Sequence, residues 1–152
     1  MKTEGIFEKL QDAIEKRLLG LNELRNVPIL TYKQSDLSST IETNVKTGIG
    51  IVVVLMPPTP GHVHTHVIGP VFHGVTIEVK IVENTAMNKL GKSLLFLAEV
   101  VMQHLHMWCP NVSDKNYQLE LASGPQNFKA TREDNINYFS MCFEISCHLK
   151  SV

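Results

Sequence analysis

The sequence lacks most features that mark nucleic-acid-binding proteins. Charged residues make up 19% of its 152 residues, against roughly 25% in typical soluble domains. Lysine and arginine form no cluster, and the formal net charge is −1, whereas nucleic-acid-binding domains usually carry a basic patch. We therefore expect no specific nucleic-acid binding. A lightly charged surface also suggests that partners cover part of it.

Cysteine and long apolar runs are scarce. The three cysteines, Cys109, Cys142 and Cys147, show no C-x-x-C spacing and are expected to be small buried side chains in a reducing compartment. No apolar run approaches the roughly 20 residues that span a bilayer, and the first residues carry too many charges for a signal peptide. The sequence predicts a protein that is cytosolic at synthesis and has no membrane partner.

Common catalytic motifs are also missing. There is no glycine-rich phosphate loop and no G-x-S-x-G nucleophile motif. The cysteines have no neighbouring signature of a nucleophile. The sequence therefore contains no common motif that points to an enzyme or to a cofactor.

The clearest pattern is a strand followed by a long helix. Apolar and polar residues alternate over Val75–Ile81, which indicates a half-buried strand. Over Leu90–Leu105 the apolar residues recur at steps of three and four, which predicts a helix with one buried face. Asn84 and Asn88 are candidate helix caps, and Pro110 follows the helix end.

The remaining elements lead to a fold class. Both faces of Gly48–Met56 are apolar, which predicts a central strand covered by the protein's own helices on one side and by another subunit on the other. We predict an α+β fold in one domain, residues 1–152, with a mostly antiparallel sheet of about five strands and two main helices on one face, in the order α-β-β-β-α-β-β. The other predicted elements are a helix at Ile6–Leu18 and strands at Asn26–Tyr32, Tyr117–Ala122 and Tyr138–Leu149.

Two connecting segments stand out. Residues 34–47 are polar and rich in serine and threonine, and we predict a mobile loop, because long loops without structure are usually functional or mobile. Residues 57–70 are bounded by proline and glycine and are predicted to form a projecting arm.

The arm contains the best candidate metal ligands. If His62-x-His64-x-His66 is a strand, its histidines share one face with roughly 6.6 Å between neighbouring Cα atoms. Imidazoles at this spacing can bind zinc, iron or nickel. No general acid or base is obvious nearby, and Glu78 is a candidate only if the chain doubles back. The alternative is an arm whose histidines contact water or a neighbouring subunit. A second group, His104, His106 and Cys109, does not have zinc-finger spacing.

A strand ending in Val82-Glu83-Asn84 is followed by Asn88, a long apolar helix and its exit Leu105-His106-x-Trp108-x-Pro110. With these features, the segment from Ile77 to Pro110 resembles the tail terminator and tail-completion proteins of long-tailed phages and prophages, including relatives of the lambda minor tail protein U and Mu-like tail completion proteins. The element order of most of the chain fits the same family. The arm with its histidines departs from the family pattern. The resemblance extends to Val27-Pro28-Ile29 and Tyr138-x-x-Met141-x-Phe143.

The resemblance implies a structural role without catalysis. It implies a hexameric ring at the end of the tail tube nearest the head, which stops tube polymerisation and presents a surface for head attachment. The implied partners are further copies of the chain, the tail tube protein and head–tail connector proteins. The implied location is the cytoplasm of the bacterial host during assembly and then the virion tail or a tail-like particle. Two alternatives stay open, a small metal-dependent enzyme or metal-binding module using His62, His64 and His66, and an α+β binding domain with another partner.

Overall fold

The computed structural model describes residues 5–59, 62–66, 69–110, 118–121, 128–133 and 135–148, without the side chains of 62–66, 69–74, 128–130 and 146–148. This part of the chain contains three α-helices and seven strands. The helices are α1 (Ile6–Leu19), α2 (Leu37–Lys46) and α3 (Leu94–Leu105), and a short 3-10 helix covers Asn22–Leu24. The strands are β1 (Ile29–Thr31), β2 (Ile51–Leu55), β3 (His62–His66), β4 (Gly69–Asn84), β5 (Glu120–Leu121), β6 (Phe128–Glu133) and β7 (Ile136–His148).

The sheet is built around two long antiparallel strands, β4 and β7. They have 16 and 13 residues and pair along nearly their whole length. The edge of β4 that does not pair with β7 pairs with β3 at the first residues of the strand and with β2 near its end. The other edge of β7 pairs with β6 and then with β5. Only β1 and β2 are parallel, so the predicted α+β class and mostly antiparallel sheet are confirmed, whereas the estimate of about five strands was too low.

Helices α1 and α3 pack on one face of the sheet, as predicted. Their apolar stripes meet the odd-numbered residues of β2, β4 and β7 in one core. Burial of large apolar side chains of this kind is the main favourable term in folding. The largest fully buried members include Phe143, Leu10, Ile14, Leu97 and Leu105.

Helix α2 covers part of the opposite face and corrects the prediction of a loop at residues 34–47. The Asp36 carboxylate accepts a hydrogen bond from the Ser39 amide at 3.1 Å and caps the helix. Ile41 and Val45 pack on a second apolar cluster with Val52 and other residues of the sheet. Because β1 and β2 are adjacent and parallel, the chain between them must cross over the sheet, usually as a helix. The second apolar face of β2 is therefore covered by the chain's own α2.

The chain near α3 and the C-terminal strands also differs from the predictions. Ser93, rather than Asn84 or Asn88, caps α3, because its hydroxyl accepts a hydrogen bond from the Phe96 amide at 3.2 Å. The predicted strand at 117–122 is reduced to β5 within its described residues. The polar segment 126–135 contains β6, which pairs with the first half of β7.

The predicted arm at 57–70 contains strand β3, which extends the sheet. β3 pairs with Gly69–His73, the first residues of β4. The β4–β7 register shifts here, because two residues lie between Phe72 and Val75 while only one lies between their partners Cys147 and Ile145. The extra residue in β4 is a β-bulge, which bends a strand and locally re-aims it. We call the paired segments of β3, β4 and β7 beyond the bulge the sheet extension.

Candidate oligomer interface

The middle of the face opposite α1 and α3 is polar and open to solvent. Even-numbered residues of β4 and β7, such as Thr76, Lys80 and Glu144, lie there half-buried or exposed. The Lys80 ammonium lies 3.1 Å from the Glu78 carboxylate, and such a partly exposed pair contributes little to stability. The face holds a depression of about 260 Å³ between β4, β6 and β7. A polar face of an antiparallel sheet can remain exposed to water without internal cover.

A second concavity, the α2 groove, lies beside this depression. It has a volume of about 350 Å³ and lies between α2 and the start of β7. Ile41, Val45 and Tyr138 provide its apolar lining. An exposed ion pair between Lys46 and Glu42, with an Nζ–Oε1 distance of 2.5 Å, lies on its helical side. The groove combines apolar contact area with charged groups at its margin, as protein interfaces do.

A third concavity, the α3 groove, separates the start of α3 from the β6–β7 hairpin. Its volume is about 360 Å³, and Leu94, Leu95, Arg132 and Tyr138 are among its lining residues. Leu95 is 62% exposed and Phe96 is 42% exposed. The first turn of α3 therefore presents two adjacent apolar side chains to solvent beside a groove. Adjacent exposed apolar residues of this kind often mark an interaction site.

A buried carboxylate lies at the wall of the α3 groove. Glu83 is 6% exposed, and its Oε2 accepts a hydrogen bond from Asn88 Nδ2 at 2.6 Å. Asn88 also donates to the Lys92 carbonyl at 2.8 Å and accepts from the Leu90 amide at 2.9 Å. Asn88 thus fixes the connection from β4 to α3, and Glu83 anchors Asn88. The prediction that this polar junction caps the helix directly was wrong, because Ser93 is the cap and Asn88 instead orders the connection that leads to it.

The group around His104, His106 and Trp108 joins elements at the other end of α3. The Arg17 guanidinium donates from Nε to the His104 carbonyl at 3.2 Å and lies 5.1 Å from the centre of the Trp108 ring. His106 Nδ1 accepts a hydrogen bond from the Leu121 amide at 3.0 Å. These contacts tie α1 and β5 to the end of α3. Their geometry is that of a structural junction.

The predicted site residues fall into separate places. His62, His64 and His66 lie on β3, and Glu78 lies in the middle of β4, where it pairs with Lys80. Among the side chains that the structure describes, no group of three His, Cys, Asp or Glu residues could hold a metal ion. The three histidine side chains lie outside that set.

Two of the three cysteines, Cys109 and Cys142, have described side chains. Cys142 is buried as predicted, whereas Cys109 is exposed, so that part of the prediction was wrong. The side chain of Cys147 lies outside the described residues. Within the described ranges, none of the helices has the length and apolar character to cross a membrane.

The grooves depend on residues that are distant in sequence. Tyr138 lines both grooves and the depression between the strands, and it is partly buried. The first half of β7 is therefore surrounded by concave surface on both faces of the sheet. We take this region, with Leu95 and Phe96, as the candidate interface.

The fold is shared with chains of known structure, one of which comes from a virion. No protein-family model and no curated protein sequence matches the chain. A chain in a structure described as "Virion of native gene transfer agent (GTA) particle" superimposes with a TM-score of 0.63 at 14% sequence identity, covering 95% of this chain and 98% of that chain. A second solved chain gives a TM-score of 0.58 at 10% identity, covering 94% and 97%. At these identities the shared property is the fold, over essentially the full length of each chain.

Proposed function

We propose that this chain is a structural subunit of a phage or phage-derived particle. In this proposal, copies of the chain form a ring at the head-proximal end of a tail tube, end the growth of the tube and join it to the head. The observation that carries the proposal is the full-length fold match to a chain of a gene transfer agent virion. The resemblance of Ile77–Pro110 to tail terminator proteins supports the same role from the sequence.

The geometry supports assembly through a head-to-tail contact. The candidate interface lies around the first residues of β7, whereas the sheet extension includes its last residues. A thirteen-residue strand spans about 44 Å at roughly 3.4 Å per residue, so these two regions lie at opposite ends of the sheet. A contact between two different surfaces generates a closed ring when its rotation allows. The role proposed is geometric, with six copies per ring, and involves no catalysis or cofactor.

The first experiment measures mass by light scattering across concentration, with electron microscopy of the same sample. We expect the wild-type chain to form a closed ring of six copies, either alone or on tubes of its tail tube protein. A chain that forms no ring, does not bind tube ends and leaves tube length unchanged would contradict the proposed role.

A matched pair of variants tests the interface itself. Leu95 and Leu19 are each 62% exposed, so Leu95→Glu and Leu19→Glu remove similar apolar surface and should both leave the fold intact. Only Leu95 borders the α3 groove. Burying a leucine side chain contributes about 1.5–3 kcal/mol, and about 1.4 kcal/mol corresponds to tenfold in an equilibrium constant. We expect Leu95→Glu to weaken subunit association at least about tenfold and Leu19→Glu to leave association unchanged.

The two variants also separate the interface from the function. If Leu95→Glu assembles as well as the wild type, the α3 groove is not the contact surface, whatever the role of the protein. If both variants lose assembly equally, the effect is a general response to surface charge, and the assignment of the α3 groove fails.

A further inference from the structure

An acidic residue stands where the pattern of β4 calls for an apolar one. The odd-numbered residues of Val75–Ile81 are apolar, buried and packed in the core with α1 and α3. Glu83 occupies the next odd-numbered position and is 6% exposed. Its carboxylate therefore lies on the helical side of the sheet, at the wall of the α3 groove. Burying a carboxylate is costly unless a cation or hydrogen-bond donors compensate it.

The chain compensates this carboxylate only in part. Oε2 accepts the hydrogen bond of 2.6 Å from Asn88 Nδ2. Among the residues that the structure describes, no donor and no cation contacts the second oxygen, Oε1. Oε1 is not sealed in the interior, and Glu83 lines the α3 groove. Because an ionised carboxylate offers about four acceptor sites, the groove presents a negative group with room for a further partner.

Two basic side chains of neighbouring elements are held elsewhere. The Lys92 ammonium, just before α3, donates a hydrogen bond to the Glu23 carbonyl at 3.0 Å. Arg132 lines the same groove from β6, but it is exposed and its Nη2 donates to Asn135 Oδ1 at 3.2 Å. Neither forms an ion pair with Glu83 within the described part of the chain. A cation that pairs with Glu83 therefore comes from another molecule.

The walls of the α3 groove indicate the shape of that cation. They are apolar at Leu94, Leu95, Tyr138 and Phe139, and the groove volume is about 360 Å³. Lysine and arginine pack their aliphatic stems along apolar surface while their charged groups reach a polar partner. A hydrogen bond from either cation to a carboxylate is roughly twice as strong as one between neutral groups. Apolar walls around one acidic group match this type of side chain.

We propose that the α3 groove receives a lysine or arginine side chain, with Glu83 as its charge partner. In the assembled particle this side chain is presented by the neighbouring copy of the chain, and this assignment of the occupant rests on the proposed function. The inference gives the interface a charged contact in addition to the apolar contact of Leu95. It also gives the buried carboxylate a role in recognition.

The first test compares the association of the wild type with that of Glu83→Gln by light scattering across concentration. Glutamine keeps an acceptor for Asn88 and removes the negative charge. Loss of one partner of a buried charge pair should weaken association at least about tenfold, and association of the variant should depend less on salt. Glu99→Gln is the matched control, because Glu99 is exposed on the same helix and does not line the groove. It should associate as the wild type does.

A second pair of variants leaves Glu83 unchanged. Thr131 is exposed on β6 and lines the groove, so Thr131→Lys supplies a cation from within the same chain. This cation should compete with that of the neighbouring copy and weaken association as Glu83→Gln does. Thr131→Gln adds a neutral side chain and is the control, with association unchanged. Circular dichroism identifies any variant whose fold has changed.

A chain that stays monomeric contradicts the proposed function and leaves the groove open to a small probe. The probe is then N-acetylarginine amide, with uncharged N-acetylcitrulline amide as its control, followed by saturation-transfer NMR. We expect the wild type to prefer the arginine probe and Glu83→Gln to lose this preference, which would support the cation site with another protein as its source. Equal signals from the two probes would overturn the inference. In a chain that assembles, equal association of the wild type and Glu83→Gln would overturn it.

Discussion

Replacing Gly50 by alanine is expected to destabilise the protein severely, because two separate constraints act at this position. Gly50 has φ of +89°, in a region that residues with a Cβ rarely adopt. A Cβ there would lie 2.4 Å from the Met87 carbonyl oxygen and 2.6 Å from the Asn88 nitrogen. These are backbone atoms of the connection from β4 to α3, so they cannot move aside by a side-chain rotation. The same connection is held by a hydrogen bond of 2.9 Å from the Lys89 amide to the Ile49 carbonyl.

The magnitude can be separated into its two parts with a second glycine. Gly91 has φ of +77°, but a Cβ there would meet nothing within 4 Å. Gly91→Ala therefore carries only the conformational cost of about 1–2 kcal/mol. Gly50→Ala carries that cost and an overpacking cost of about 1–3 kcal/mol, for a total of about 2–5 kcal/mol. The loss of unfolded-chain entropy on replacing glycine is similar in both and cancels in the comparison.

The assay is urea unfolding followed by Trp108 fluorescence and circular dichroism. For a protein of this size each kcal/mol corresponds to a shift of about 2–4 °C in Tm, so thermal scans give an independent reading. Gly50→Ala should be less stable than Gly91→Ala by at least about 1 kcal/mol. Equal losses in the two variants would refute the argument that contact between Gly50 and the β4–α3 connection is structurally required.

Two further predictions concern the ends of α3. Arg17→Met should lower stability by about 1–3 kcal/mol, because it removes a charged hydrogen bond to the last turn of α3 and the contact with Trp108. Arg25→Met, which replaces an exposed arginine, is the control, and stability is measured by urea unfolding. Equal losses of unfolding free energy in Arg17→Met and Arg25→Met would contradict this reasoning. Asn88→Ala should cost about 3 kcal/mol, because the buried Glu83 carboxylate loses its amide donor. A loss below about 1 kcal/mol in the same assay would mean that Glu83 has other sufficient partners.

The elements with strong periodicity could be predicted from the sequence. β4, β7 and the buried face of α3 each have long runs with one period, and β2 is a continuous apolar run; their burial follows from these patterns. Helix α2 was missed because serine and threonine compete for backbone hydrogen bonds and favour turns. Its signals were the cap at Asp36 and the pair Ile41 and Val45, four residues apart. The parallel pairing of β1 with β2, which requires the crossover helix, cannot be read from the sequence and is known only from the fold.

The candidate interface could not be predicted for a different reason. The α3 groove is lined by Leu95, Arg132 and Tyr138, which belong to three separate elements. No local sequence pattern indicates that these residues are neighbours in the fold. β6 was missed because its alternation is short and mixed with charges over Phe128–Glu133. Without β6, the wall of the groove does not exist. The histidine motif on β3 was visible in the sequence, whereas the pairing of β3 with Gly69–His73 depends on strand register.

The bulge between Phe72 and Val75 changes which positions of β4 and β7 are paired. In the core, the odd-numbered residues of β4 face α1 and α3, and they pair with odd-numbered residues of β7. Beyond the bulge, odd-numbered Val71 pairs with even-numbered His148. Deleting Gly74 should restore the ordinary pairing, because a one-residue change alters the register of a whole strand segment. The extra residue therefore acts as a phase shift in the chain, separating the part of β4 that builds the core from the part that pairs with β3.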